Sequence, residues 1–217
     1  MNAPSREVPI DLSHAALLII DVQNYCAHRE GAAWRGLDQE KGEYFFRSLR
    51  EVVLPSLQRL QSACRQAQIE VVYSAVENMT RDGRDRSLDY QISGIDVPRG
   101  SWDAQILDDI AAAEDEMTFR KTSSSVFIST NIDYVLRNLG VRSLIVAGMM
   151  TDQCVESAVR DACDLGYLVT LVTDACTTNS AERHEQSLIV LRGYCRQRTS
   201  DFPVAEISAL NSSNQSD

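Results

Sequence analysis

The chain has no long apolar run. No stretch approaches the roughly 18 to 20 apolar residues of a membrane span, so neither a transmembrane helix nor a membrane partner is expected. Its first residues, MNAPSREVPIDLSH, contain no apolar segment and no cleavage site of the secretory type, so a cytoplasmic location is expected. Basic residues are in the minority, 21 against 31 acidic, for a net charge of -10. Such a chain repels phosphate backbones and is not expected to bind nucleic acid. No G-x-G-x-x-G or G-x-x-x-x-G-K is present, so the glycine cradle for a nucleotide phosphate is missing. The six cysteines form no C-x-x-C, which argues against a thiol redox protein. In a chain of 217 residues without a secretory leader they are read as reduced thiols.

What is present is an alternation of apolar strands and helical patterns. Ala15–Ile20 is a continuous apolar run ending at Asp21, and Ile69–Ser74, Glu116–Phe119, Leu144–Ala147 and Leu168–Val172 are further strand candidates. Pro203–Ile207 is read as a sixth strand at an edge, where a proline is tolerated. Between them, 39–66 is helical with a kink or restart at Pro55. Asp103–Ala113, Thr130 to Gly140, Cys154–Leu165 with Gly166 after it, and Ala181 to about Arg192 complete the helices. The alternation predicts one α/β domain over 1–210, a mostly parallel six-stranded sheet with helices on both faces. The tail 211–217, NSSNQSD, is predicted disordered. The connection from Glu77 to Gly100 is longer than the usual loop of at most about 12 to 15 residues, and reads as a lid or a subunit contact.

In open α/β sheets ligands bind beyond the carboxyl ends of the strands. Asp21 ends the first strand, Lys121 follows the third, and Cys154 follows the fourth. Taken singly each has a plain structural role: a turn aspartate, a solvated lysine, a core cysteine. Taken together they form a nucleophile, a base to remove its proton, and a cation to hold that base ionised. The start of a helix at Cys154 would favour the thiolate. The set suits cleavage of an amide-like C–N bond through a thioester.

The stretches ALLIIDVQN, KTSSSVF, NIDYVLRNLGVRSLIVAGMMTDQCVESAVRDA and LVTDA resemble the isochorismatase-like cysteine hydrolases from about Ala15 to Arg192. The resemblance implies a three-layer α/β/α sandwich, assembly as a homodimer or homotetramer, and an Asp–Lys–Cys triad on Asp21, Lys121 and Cys154. It also implies a cis peptide at Met149–Met150, which would aim the N–H groups of Met150 and Cys154 at one point as an oxyanion hole. Cys154 points to the amidase branch. The histidines, His14, His28 and His184, lie far apart, unlike the metal site of the nicotinamidase branch, so no metal and no cofactor are expected.

RGSWDAQILDDI and CVESAVRD are similar to the ureidoacrylate amidohydrolases, with biuret and carbamoyl hydrolases nearby. A small ureido or carbamoyl amide is therefore the implied substrate class. A nicotinamidase-type amidase, or a non-enzymatic member acting through protein contacts, are the alternatives. Gln23, Tyr25 and Phe127 are candidate substrate contacts because they flank Asp21 and Lys121, with Glu77 and Asn78 behind them. Trp102 and His184 are read as packing residues.

Overall fold

A computed structural model describes residues 5–37, 40 and 42–214. Six strands, β1 Ala15–Ile20, β2 Glu70–Val76, β3 Met117–Lys121, β4 Ser143–Met149, β5 Leu168–Thr177 and β6 Arg196–Arg198, form one sheet in the order β3-β2-β1-β4-β5-β6. Every neighbouring pair is parallel. The order reverses between β1 and β4, and such a switch point leaves a crevice beyond the carboxyl ends of the strands.

The continuous apolar runs are explained by burial on both faces. Along β1, Ala15, Leu17 and Ile19 enter one core, while Ala16, Leu18 and Ile20 enter the other. The first core is covered by α1 Asn24–Ala27, α2 Glu43–Ser48 and α3 Leu54–Gln66. The second is covered by α5 Val126–Ser129, α6 Ile132–Asn138, α7 Glu156–Asp164 and α8 Ala181–Leu191. A short helix, α4 Leu88–Ile92, lies in the connection after β2 and joins a third cluster of Val76, Tyr90, Val97 and Ala104. The last helix, α9 Asp201–Asn214, packs beside α3.

Pro55 begins α3. Its missing N–H leaves a carbonyl one turn earlier without its usual donor, and the preceding turn, 49–53, is widened to π geometry. The kink or restart expected at Pro55 takes this form. Gln39, where the helical pattern was expected to begin, lies outside the described residues.

Three expectations are corrected. Pro203–Ile207 is not a strand but part of α9. Proline is as welcome in the first helical turn as at a sheet edge, and Val204 and Ile207 fall at helical spacing. The sixth strand is Arg196–Arg198, paired to Thr170–Val172. The segment 103–113 holds two 3-10 turns, Trp102–Ala104 and Asp108–Ile110, rather than a helix. A bridge between Gln23 and Ile106 separates them. Within the tail, 211–214 continues α9, while 215–217 lie outside the described residues.

Candidate active site

β1 hands over to the site through Asp21, whose backbone is left-handed at φ 53°. Aspartate tolerates this region better than most residues. The turn is held by Asp21 N donating to Ser74 O at 3.0 Å and Gln23 N donating to Asp21 O at 2.9 Å. The Ser74 hydroxyl donates to Asp21 Oδ1 at 2.8 Å. One carboxylate oxygen is thereby fixed.

β4 reaches the site through Gly148, at φ 124° and paired with Ile20 of β1. A Cβ there would lie 2.1 Å from Ile20 O and 2.6 Å from Ile20 N, so only glycine allows this approach. The next peptide, Met149–Met150, is cis. The chain then enters a π turn over Thr151–Val155, in which Gln153 N and Val155 N both donate to Met150 O, at 3.0 and 3.2 Å. Cys154 therefore does not start the helix. It is the fourth residue of a wide first turn that begins at Thr151, with α7 proper starting at Glu156.

The three strand ends meet. Lys121 is fully buried, and its Nζ lies 2.8 Å from Asp21 Oδ2 and donates to Cys154 Sγ at 3.3 Å. Lys121 also donates to Ser123 O at 2.9 Å and to Tyr90 Oη at 3.0 Å. Tyr90 Oη lies 3.6 Å from Cys154 Sγ. An ammonium has three protons, and Tyr90, Ser123 and Cys154 accept all three. Hence the 2.8 Å approach to Asp21 Oδ2 lies off the hydrogen-bonding axis, and that oxygen receives no donor from another residue.

Burial pushes the Cys154 thiol up to about 11, opposed by Lys121 and reinforced by the charge of Asp21. The expectation of a lowered thiol is corrected: desolvation of the buried sulfur outweighs the pull of Lys121. Burial by itself would lower Lys121, but Asp21 and then Cys154 outweigh it and raise the ammonium well above its ordinary value. The arrangement is a buried thiol beside an oxygen free to take its proton, with a permanent cation between them.

A profile of the isochorismatase domain matches residues 15–201. The chain belongs to the isochorismatase family. A ureidoacrylate amidohydrolase of Agrobacterium fabrum is 29% identical over 81% of this chain and 82% of its own. An Arabidopsis thaliana protein named a probable inactive nicotinamidase is 32% identical over 82% of this chain and 88% of its own. Among solved structures, a cysteine hydrolase from Pseudomonas syringae pv. phaseolicola shares the fold at a TM-score of 0.80 and 23% identity, covering 96% of this chain and 99% of that one. Six parallel strands with helices on both faces are thus the family's architecture in this chain.

The flanking candidates divide. Gln23 is fully buried, and its amide is spent on backbone: Nε2 donates to Val76 O and Asp103 O, both at 2.9 Å, and Oε1 accepts from Val76 N at 2.6 Å. It clamps the end of β2 to the 3-10 turn at Trp102–Ala104 and has no donor left for a substrate. Phe127 packs against Tyr167, ring centroids 6.0 Å apart, in the helix layer; Tyr167 precedes β5, at the other end of the sheet from Cys154. Tyr25 remains near the site, half-buried against the Tyr90 cluster, its phenol raised to about 12 by burial and then by Cys26 and nearby carboxylates. Glu77 and Asn78 line a cavity of about 510 Å³ with Met79, Arg99 and Arg120. Glu77 is engaged by Arg120 at 3.0 Å and by Gly100 N at 2.6 Å.

The histidines stay apart. His14 pairs with Asp11, His28 meets Trp102 edge-on, and His184 Nδ1 lies 2.9 Å from Thr151 Oγ1 behind the turn that carries Cys154. Among the described residues no three His, Cys, Asp or Glu side chains are grouped to hold a metal ion. No helix among them is long and apolar enough to cross a membrane.

Tyr90 is the site residue that sequence reasoning missed. It lies in the connection read as a lid or contact, where apolar periodicity is weak. Ser87, which caps α4 by accepting from Tyr90 N at 3.2 Å, was the available signal for a helix there.

Proposed function

We propose that this chain is a cysteine amidohydrolase that breaks a C–N bond of a small ureido or carbamoyl amide through a thioester. The observation that carries the reading is Asp21 Oδ2: a buried carboxylate oxygen beside the Cys154 thiol, without a donor from another residue. Buried polar groups are nearly always satisfied, and an exception calls for a chemical reason. The ureidoacrylate amidohydrolase relative supports the substrate class.

Asp21 removes the thiol proton as sulfur attacks the carbonyl carbon. The oxyanion of the tetrahedral intermediate rests on the N–H groups of Met150 and Cys154. Asp21, now protonated, passes that proton to the departing nitrogen, which leaves as ammonia or an amine. The thioester remains. Asp21 then takes a proton from water as it attacks, and the restored thiol and a carboxylic or carbamic acid are released. Lys121 stays cationic throughout and holds its charge 2.8 Å from Asp21 Oδ2.

The test is ammonia release from a panel of ureido compounds, carbamoyl compounds and primary amides. Nicotinamide belongs in the panel because of the nicotinamidase-named relative. Turnover of a ureido or carbamoyl compound, absent in Cys154→Ala, is the expected result. No turnover of any member, with Cys154 also inert to iodoacetamide, overturns the reading.

A further inference from the structure

Tyr90 comes from outside the three strand ends, yet it touches two of the three reacting groups. Its side chain is almost fully buried, with the hydroxyl 3.0 Å from Lys121 Nζ and 3.6 Å from Cys154 Sγ. The ring is held by Val76, Val97 and Ala104, and the helix that carries it is capped by Ser87. Ser87 N in turn donates to Thr122 O at 2.9 Å, tying α4 to the residue after Lys121. This is a placed hydroxyl rather than a passing contact.

We propose that Tyr90 is a positioning residue whose hydroxyl occupies one of the three Lys121 protons and so keeps Asp21 Oδ2 free to act as the base. Lys121 has four polar neighbours for three protons. Ser123 O is a fixed backbone acceptor, and Cys154 Sγ is the nucleophile itself. Tyr90 Oη takes the third proton, and Asp21 is left with the charge but not the hydrogen bond. Because the hydroxyl oxygen accepts from Lys121, its own proton is turned toward Cys154, where it steadies sulfur as negative charge develops. Without the hydroxyl, the released ammonium proton swings to the nearest acceptor, Asp21 Oδ2 at 2.8 Å. The carboxylate then becomes a weaker base, and the thiol also loses a donor.

The groups facing this cluster are few. Ser74 comes from β2, and Cys26 from α1, with its thiol donating to Asp21 O at 3.2 Å. Burial, then Asp21, keep Cys26 protonated. Tyr25 lies further out, held neutral by burial, with Asp103 and Asp96 acting on it.

The inference rests on Cys154 as nucleophile and Asp21 as its base, but its test needs no substrate. The rate of Cys154 alkylation by iodoacetamide is followed by mass against pH in the full chain and in Tyr90→Phe, which keeps the ring. The expected result is alkylation about tenfold slower near neutral pH, with the midpoint moved up by about one unit, the effect of one lost hydrogen bond to a charged group. With a turned-over amide in hand, kcat falls by a similar factor while KM holds. Ser87→Ala loosens the same helix and leaves the hydroxyl, and melting curves check that both variants fold. An unchanged alkylation profile in Tyr90→Phe overturns the proposal. So does a Ser87→Ala profile displaced as far as that of Tyr90→Phe, because the effect would then belong to the helix and not to the hydroxyl. A chain inactive on every amide, but with the expected alkylation shift, would sink the substrate class and leave the role of Tyr90 standing.

Discussion

Among the described residues two ion pairs are buried, and they are built in opposite ways. Arg196 of β6 meets Glu206 of α9 through both guanidinium nitrogens, at 3.3 and 2.9 Å, and its Nε donates to Thr170 Oγ1 at 3.0 Å. Both carboxylate oxygens of Glu206 are thereby engaged by the fork. Lys121 and Asp21 are closer and more deeply buried, yet the lysine's three protons go elsewhere and Asp21 Oδ2 takes none. A planar fork has fixed directions matched to a carboxylate, whereas an ammonium is a point charge that can be shared among neighbours. The first pair fastens the last helix to the sheet edge. The second leaves a buried carboxylate oxygen beside a cation but without a donor.

The largest blow to the reactive side of this contrast is Cys154→Ala, expected to lower kcat by about 10⁴-fold or more. Asp21→Asn should cost roughly 10³-fold. Glu206→Gln, made to the structural pair, should change kcat less than about twofold, since distant sites act independently. Ammonia release measures all three, and a large kcat loss in Glu206→Gln would erase the distinction.

Stability should invert the ranking of consequences. Glu206→Gln leaves the Arg196 charge buried without its partner and is expected to cost about 3 kcal/mol in urea unfolding. The double change Arg196→Met with Glu206→Leu should recover most of that. The matching swap at Lys121 and Asp21 should also fold but remain inactive.

Alkaline pH separates the two pairs further. Lys121 and the buried thiols Cys154, Cys64 and Cys176 are all raised in the folded state, Cys154 to about 11 and the other two to about 12, from an ordinary value of 9.0. A raised group contributes stability that is complete below its unfolded value and is lost as pH climbs toward the folded one. The melting temperature should therefore hold up to about pH 9 and then fall. Cys64→Ala should make that fall shallower and leave turnover alone. The smallest expected effect is His184→Ala, which removes one hydrogen bond behind the nucleophile turn, about 1 kcal/mol, with kcat nearly unchanged.

The reactive pair was readable from the chain, and the structural pair was not. Asp21 follows β1, Lys121 ends β3 and Cys154 lies in the turn after β4, and the apolar runs at β1 and β4 need no partner to be recognised. Arg196-Gln197-Arg198 has no apolar residue at all, because this short edge strand keeps its polar side chains in hydrogen bonds and ion pairs, so no pattern marks it. The more apolar Pro203–Ile207 took its place in the reading. Gln23 was ambiguous because a polar residue beside Asp21 fits a pocket and a backbone clamp equally well. Only the positions of Val76 and Asp103 decide between them. Tyr90 was invisible for a different reason: its partners come from β3 and the turn after β4, and nothing local in DRSLDYQIS points to them.

Gly148 has a consequence for anyone who would redirect this enzyme. With Ile20 O occupying the place of any side chain there, position 148, on the strand that leads to the Cys154 turn, is closed to variation. Libraries randomised through it would return mostly misfolded protein, whatever substrate they were screened against. Sequence diversity is better placed at exposed positions of the connection after β2, such as Met79, Leu88 and Ile92.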